Sequence, residues 1–429
     1  MSDATETTQK TPDDFNFLDP EVQDCPYEAY QVLRDQAPVY QDPQTGQYVI
    51  TRFEDLREVL LDTENFGNGG NRAAQEEARP QLTERQKRML AVYEENDGWL
   101  PEPTLAARDD PNHRQMRNMF DKAFRPGKIK QLDPFVESVA NRLFDAFADD
   151  GHCDWVQQFS VPLPLIVIGH QMGVKEEDIW LIKRATDAWV RRFGQMVSEE
   201  EEREALEQEI AAQHYFKKVF DRLREEPDDT LLSDLVNTEI PEWGRTLTDG
   251  ELQSEMMSDT FVGGSETSTN AIGEGVKILI EQPETWEQLK SDPDQYLRTF
   301  VEEVLRLESP VQMLGRVALN DVEMHGVTIP AGASIGTRYA AANRDERRFE
   351  CPADVDLERK NPMAHLTFGA GIHYCLGAPL ARRELYYSFK TLVDRVDEMW
   401  FAPEKNDFKH HPHMFLRALK ELHIEFKLK

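Results

Sequence analysis

At 429 residues, with 22 Phe, 11 Tyr and 7 Trp, the chain can build a sizeable core as one large domain or two ordinary ones. Its 80 acidic residues against 49 basic give a formal charge of −31, which excludes a global role on nucleic acid or anionic lipid. Cys25, Cys153, Cys351 and Cys375 are few and scattered; this is neither a secreted disulfide framework nor a C-x-x-C zinc pattern, and a reducing compartment fits best.

Residues 1–13 are polar and acidic, lack the pattern of a targeting peptide, and are expected to form a disordered tail. No run approaches the roughly 20 apolar residues of a membrane span, so a soluble, cytoplasmic protein is expected. From residue 14 to residue 429 neither a Gly/Ser linker nor a repeat divides the chain, which predicts a single domain. The stretch PVYQDPQTGQYVI reads as two short strands around a turn, and EDLREVLLD as a helix. Residues 67–108 form a long irregular connection with one helix around TERQKRMLAVYEE.

Helical patterns dominate from Pro111 to Leu307, and the run SEEEEREALEQEI reads as a solvated helix face or its mobile approach. Thr248-x-x-Glu251 is a capping box, and the pattern continues to Pro283, giving a helix of about 33 residues, or roughly 50 Å. Such a helix should cross the core. Gly263-Gly264 in its middle costs about 1 kcal/mol per glycine relative to Ala, which points either to a useful distortion or to close helix packing. Short strands return in VEMHGVTIPAGASI and at the C-terminus. The expected class is mainly α, of the α+β type, with a long central helix and small sheets near the two ends.

The strongest motif is Phe368-Gly-Ala-Gly-Ile-His-Tyr-Cys-Leu-Gly377. Gly369, Gly371 and Gly377 let the backbone turn tightly and approach a flat group. Cys375 sits just before a helix, whose N-terminal N–H groups stabilise a thiolate. Phe368 can shield the sulfur, and His373 is a donor beside it. A packing cysteine, a nucleophile and a metal ligand all remain open from the loop alone, but only the ligand gives Phe368 and the second glycine a task.

This segment resembles the F-x-x-G-x-H/R-x-C-x-G signature of the cytochrome P450 family at every fixed position. Glu303-Val-Leu-Arg306 resembles the family's E-x-x-R pair. Asp356-Leu-Glu-Arg359 resembles the following motif whose Arg completes that network, with Val355 where Phe is usual. Asn343-Arg-Asp345 is also typical, and the resemblance spans about Pro38 to Leu422. It implies the cytochrome P450 fold and a haem b cofactor with Cys375 as iron ligand.

The resemblance further implies that His113, Arg117, Arg316 and His373, with His365 as an added contact, hold the haem propionates. Gly263-Gly264-Ser-Glu266-Thr267 is similar to the family's helix motif for oxygen chemistry. There a distorted helix makes room, Thr267 supplies a hydroxyl and Glu266 relays protons while bulk water is kept out. The implied activity is insertion of one oxygen atom of O2 into a small, largely apolar substrate: a terpenoid, steroid, aromatic or fatty acid. A haem sensor without turnover and a peroxide-driven enzyme are the competing classes, and the Glu266-Thr267 pair argues against both. Pocket positions implied by the likeness are Leu100, Leu105, Val262, Met313, Leu314, Met414 and Phe415. With no flavin or iron–sulfur motif in the chain, electrons are expected from NAD(P)H through a ferredoxin reductase and a ferredoxin. The ferredoxin would dock on Arg114, Lys122, Arg125, Lys128 and Lys130, with Arg382 and Arg383 adding to the patch. His410-His411-x-His413 looks like a metal tract, but it precedes a pocket-lining segment, and no metal is expected there.

Overall fold

The computed structural model describes residues 10–68, 82–194 and 197–429. Most of the expected tail therefore lies outside the described residues; Pro12–Asp14 form a 3-10 turn. Part of the 67–108 connection, residues 69–81, also lies outside them.

The first hairpin forms where β-prone runs flank Asp42–Gly46: β1 (Val39–Gln41) and β2 (Tyr48–Ile50) pair antiparallel with Val39 opposite Ile50. The Asp42 carboxylate accepts from Thr45 Oγ1 at 2.7 Å and from the Gln44 N–H at 3.0 Å, closing the turn. Helix α1 (Phe53–Leu61) follows, then β3 (Phe66–Gly67). The predicted helix in the long connection is α2 (Glu84–Glu95), capped by Thr83 and Gln86, and α3 is Asn112–Ala123. After β4 (His152–Asp154) come α4 (Ile179–Phe193) and α5 (Glu199–Glu225). The acidic run is the ordered first turns of α5, where Ser198 and Glu201 form a capping box and acids face the positive end of the helix.

The central helix, α6, starts at the predicted capping box: Glu251 N–H donates to Thr248 Oγ1 at 3.1 Å, and Thr248 N–H donates to Glu251 Oε2 at 2.8 Å. It runs as Asp249–Ser254, then Glu255–Glu266 in π register, then Thr267–Glu281. The distortion expected at the glycine pair is thus a long widened segment that ends at Glu266. The two glycines differ in surroundings. A Cβ on Gly264 would lie 3.2 Å from Ile168 Cγ1, so that glycine serves close packing, whereas Gly263 faces open space.

Helix α7 (Pro293–Leu307) leads to β5 (Leu314–Ala318), β6 (Val322–Met324), β7 (Val327–Ile329) and β8 (Ser334–Thr337). Helix α8 (Ala378–Arg395) precedes β9 (Val396–Phe401) and β10 (His423–Leu428). Among the described residues the strands make sheets of order β1-β2-β8-β5-β3, β4-β10-β9 and β6-β7. The main core packs α6, α7 and α8 together; Phe300 and Phe389 meet edge to face at 4.9 Å. Gly275 permits this approach, since a Cβ there would lie 2.3 Å from Phe389 Cζ.

The E-x-x-R pair is fully buried. Arg306 donates to both Glu303 oxygens (2.8 and 2.9 Å) and to the carbonyls of Asn343, Pro352 and Asp354. Arg359 Nε donates to Glu303 Oε1 at 2.8 Å, so Val355 costs that network nothing visible.

Candidate functional site

The cysteine loop is held between α1 and α8. Gly369 and Gly371 both have φ near +70°, and a Cβ on Gly371 would meet the Leu60 carbonyl at 2.7 Å, so both a left-handed backbone and close contact demand glycine. The Cys375 N–H donates to the Phe368 carbonyl at 2.8 Å, closing the loop. Gly377 is the N-cap of α8, and a Cβ there would lie 3.9 Å from Cys375 Sγ. The sulfur opens on accessible space yet lies deep in the fold. Burial pushes the thiol up, while the N–H groups of Gly377 and Ala378 and the charges of Arg117 and Arg382 pull it down. Phe368 lies beneath the Arg382 guanidinium at 4.5 Å.

Around this loop gather His113, Arg117, Arg316 and His373. The His113 and His373 rings are 4.1 Å apart. Burial, then His113, Arg316 and Arg117, push the His373 imidazole down to about 3. Burial, then Arg117, lowers His113 as well. His113 is buried with neither ring nitrogen hydrogen-bonded; Asp110 Oδ1 at 3.7 Å is too distant. Arg117 donates to the Tyr374 carbonyl at 3.0 Å, tying α3 to the loop. Arg316 donates to the adjacent Gly315 carbonyl and has no carboxylate partner among the described residues. Two orphaned buried nitrogens and an unpaired guanidinium beside a cysteine in a glycine cradle fit a flat iron-bearing group with anionic arms.

His365 does not join them. Its Nε2 is 2.9 Å from Glu302 Oε2, and its Nδ1 accepts the Thr367 N–H at 3.3 Å. Glu302 also takes a bidentate bond from Arg382. Both ring nitrogens are therefore spent on protein partners, which corrects the expected propionate contact.

On α6, Thr267 Oγ1 donates to the Gly263 carbonyl one turn back at 2.8 Å. Glu266 turns the other way: its Oε1 is 3.0 Å from Lys183 Nζ and 3.3 Å from Thr186 Oγ1 on α4. Burial raises the Glu266 carboxyl, and Lys183 opposes that. Nothing in the sequence flagged Lys183, whose only local signal is Asp187 four residues on. Glu384 on α8 was missed too; burial pushes it up to about 8, and the Ser268 hydroxyl of α6 faces it.

Of the pocket positions, Leu105 packs with Met116, Phe120 and Met256 in the core, and Met313 is fully buried, so neither borders open space. Val262 is buried beside Gly263, and Leu100 and Leu314 are exposed. Phe415 packs at a tilt against Phe193 of α4, ring centroids 4.5 Å apart, with Met414 half-buried next to it. His410 bridges Asp24 (Nδ1, 2.7 Å) and Glu274 (Nε2, 2.6 Å), and His413 contacts the Val190 carbonyl. In the basic segment Lys122, Arg125, Lys128 and Lys130 are exposed, while Arg114 pairs with Asp110. Arg382 and Arg383 are held by Glu302 and Asp133, which removes them from that patch.

Known proteins resemble this chain in sequence and in fold. The family model described as Cytochrome P450 matches residues 178–425. The polyketide biosynthesis cytochrome P450 PksS of Bacillus subtilis is 34% identical over 379 residues, covering 88% of each chain. The structure of P450BioI in complex with hexadec-9Z-enoic acid ligated acyl carrier protein superposes with a TM-score of 0.82 at 29% identity, covering 95% of this chain and 99% of that one. CYP109E1 from Bacillus megaterium, in complex with testosterone, gives 0.78 at 30% identity, covering 93% and 99%. The chain belongs to the cytochrome P450 family and is a monooxygenase with haem b as cofactor.

Proposed function

We propose that this monooxygenase inserts one oxygen atom of O2 into a small, largely apolar molecule of the terpenoid, steroid, aromatic or fatty-acid classes. The observation that carries the site reading is the convergence of His113, Arg117, Arg316 and His373 on the Cys375 loop, with buried His113 nitrogens unpartnered. In this reading Cys375 is the iron ligand, Phe368 keeps water from its sulfur, and Gly369 and Gly377 let the backbone lie close to the ring. The four basic groups hold the two propionates. Haem, when bound, supplies the iron at which O2 is activated. Gly263 and Gly264 shape the helix above it, Thr267 orients a proton with its hydroxyl, and Glu266 holds one at its carboxyl.

Leu100, Val262, Leu314, Met414 and Phe415 remain the candidate substrate contacts. The steroid and fatty-acyl ligands named for the structural neighbours support an apolar substrate. Electrons are proposed to come from NAD(P)H through a ferredoxin reductase and a ferredoxin, whose acidic surface meets Lys122, Arg125, Lys128 and Lys130. A cytoplasmic setting is supported by four free thiols and by the absence, among the described residues, of a helix long and apolar enough to cross a membrane.

The test is the reduced, carbon monoxide-bound spectrum of haem-loaded protein. A red-shifted thiolate band is expected in the wild type, with its loss in Cys375→His while haem is retained. A wild type without that band overturns the site reading. NADH-dependent turnover with added ferredoxin and its reductase tests the electron route. Lys122→Glu with Lys128→Glu should then slow reduction and flatten its salt dependence; unchanged salt dependence removes the patch.

A further inference from the structure

Three acids stand four residues apart on α6, Glu251, Glu255 and Asp259, and all three bind the segment 102–108 that leads into α3. Leu105 N–H donates to Glu255 Oε1 at 2.5 Å, and Ala106 N–H donates to Asp259 Oδ2 at 2.9 Å. Arg108 Nη2 donates to Glu251 Oε1 at 3.0 Å, and Glu102 N–H donates to Ser254 Oγ at 2.8 Å. The approach is tight at its start, because a Cβ on Gly250 would lie 2.2 Å from Glu102 Oε1.

The charges here do not balance. Glu255 is fully buried, and its Oε2 makes no hydrogen bond. On its own helix it faces Asp259 and Glu251; from the segment it faces Arg108. That cation is already committed to Glu251, which also takes Arg245 at 2.6 and 3.1 Å. Glu102 adds another acid, hydrogen-bonded to Thr248. Helix α5 contributes the neutral Gln213, whose carbonyl accepts from Gln253. Asp259 is faced by the Thr104 and Ser258 hydroxyls and has no cation of its own among the described residues. Two carboxylates one turn apart, Glu255 fully buried and Asp259 partly so, with no counter-charge of their own among the described residues, repel each other and lose solvation, which favours a shared proton on the pair.

We infer that Glu255 and Asp259 form a proton-dependent strap, holding segment 102–108 closed on the central helix while the pair keeps its proton and loosening when it is lost. Burial raises both carboxyls, and for Glu255 the Asp259 charge raises it further. A group raised in the closed state stabilises that state at low pH, and the contribution disappears as pH rises through the raised value. The segment continues into Asp109, Asp110 and α3, whose His113 lies on His373. The strap therefore anchors the segment that leads into His113 and Arg117, the propionate contacts of the proposed site. That consequence rests on the proposed site; the strap itself does not.

The experiment is amide hydrogen exchange of residues 100–108 in the haem-loaded full chain from pH 5.5 to 8.5, corrected for the intrinsic chemical rate. The wild type should lose protection as pH rises, with a limit of about tenfold per pH unit for one proton. Glu255→Gln should keep protection at high pH and flatten the profile, and Asp259→Asn should do the same if Glu255→Gln folds poorly. A flat wild-type profile, or an unchanged slope in whichever variant folds, overturns the strap. The carbon monoxide spectrum, recorded on the same samples, reports separately on the iron site.

Discussion

Lys183 and Glu266 meet at 3.0 Å although 83 positions separate them, with Nζ of one on Oε1 of the other and Asp187 completing the group. Each is largely buried, so the pairing sets the charge of the acid beside Thr267. Burial raises Glu266 and Lys183 pulls it back. Lys183→Met removes the opposing cation, so Glu266 should hold its proton to a higher pH. The dependence of product formed per NADH on pH should shift upward by about one unit, the scale of one lost interaction of 1.4 kcal/mol. An unmoved profile would separate Glu266 from proton handling.

Thr267 spends its hydroxyl on the Gly263 carbonyl. Thr267→Ala should cost about 1 kcal/mol or less in stability and leave the thiolate–carbon monoxide spectrum intact. Product per NADH should fall while hydrogen peroxide rises. Quantifying peroxide and product on one sample checks this, with Thr269→Ala, whose hydroxyl bonds the Ser160 carbonyl instead, as the control.

Burial alone would raise the Glu303 carboxyl, but Arg306, the Asp356 N–H and Arg359 hold it below the usual carboxylate range. A lowered acid stabilises the fold above its unfolded pKa, and the contribution disappears as pH falls through the lowered value. Arg306→Ala removes this carboxylate's bidentate partner and takes its N–H donors from the carbonyls of Asn343, Pro352 and Asp354, and should cost about 3–5 kcal/mol. Thermal melts between pH 4 and 7 should show a shallower acid loss in Glu303→Gln than in the wild type. Equal slopes would exclude this linkage.

His113 is a buried imidazole with both nitrogens unsatisfied. An orphaned buried polar group costs about 1–3 kcal/mol, so His113→Leu should raise the melting temperature of haem-free protein. The same change should weaken haem retention, because a propionate contact is lost. Haem transfer to apomyoglobin, measured beside apoprotein melts, checks both signs; slower haem loss would contradict the assignment.

Local rules made much of the molecule legible. The Thr248 capping box, the Asp42–Gly46 turn and the glycine-spaced cysteine loop each depend on residues within one or two turns. Spacing failed where the partner is remote. His365 has the residue type of an anion contact, yet Glu302, 63 positions away, claims its ring. Arg382 and Arg383 look like surface cations but are turned inward by Glu302 and Asp133. The glycine pair signalled distortion without its extent, because the π register begins at Glu255, well before it.

From the chain alone came the ligand candidate Cys375, the turn chemistry around it, the start of the central helix and the family likeness, since these depend on short-range sterics and on residue identity. Tertiary packing decided which charges meet: Lys183 with Glu266, His365 with Glu302, and the acids of the central helix with the 102–108 backbone. Burial raises the cost of an unpaired charge, so pairing follows three-dimensional proximity, which linear spacing does not encode.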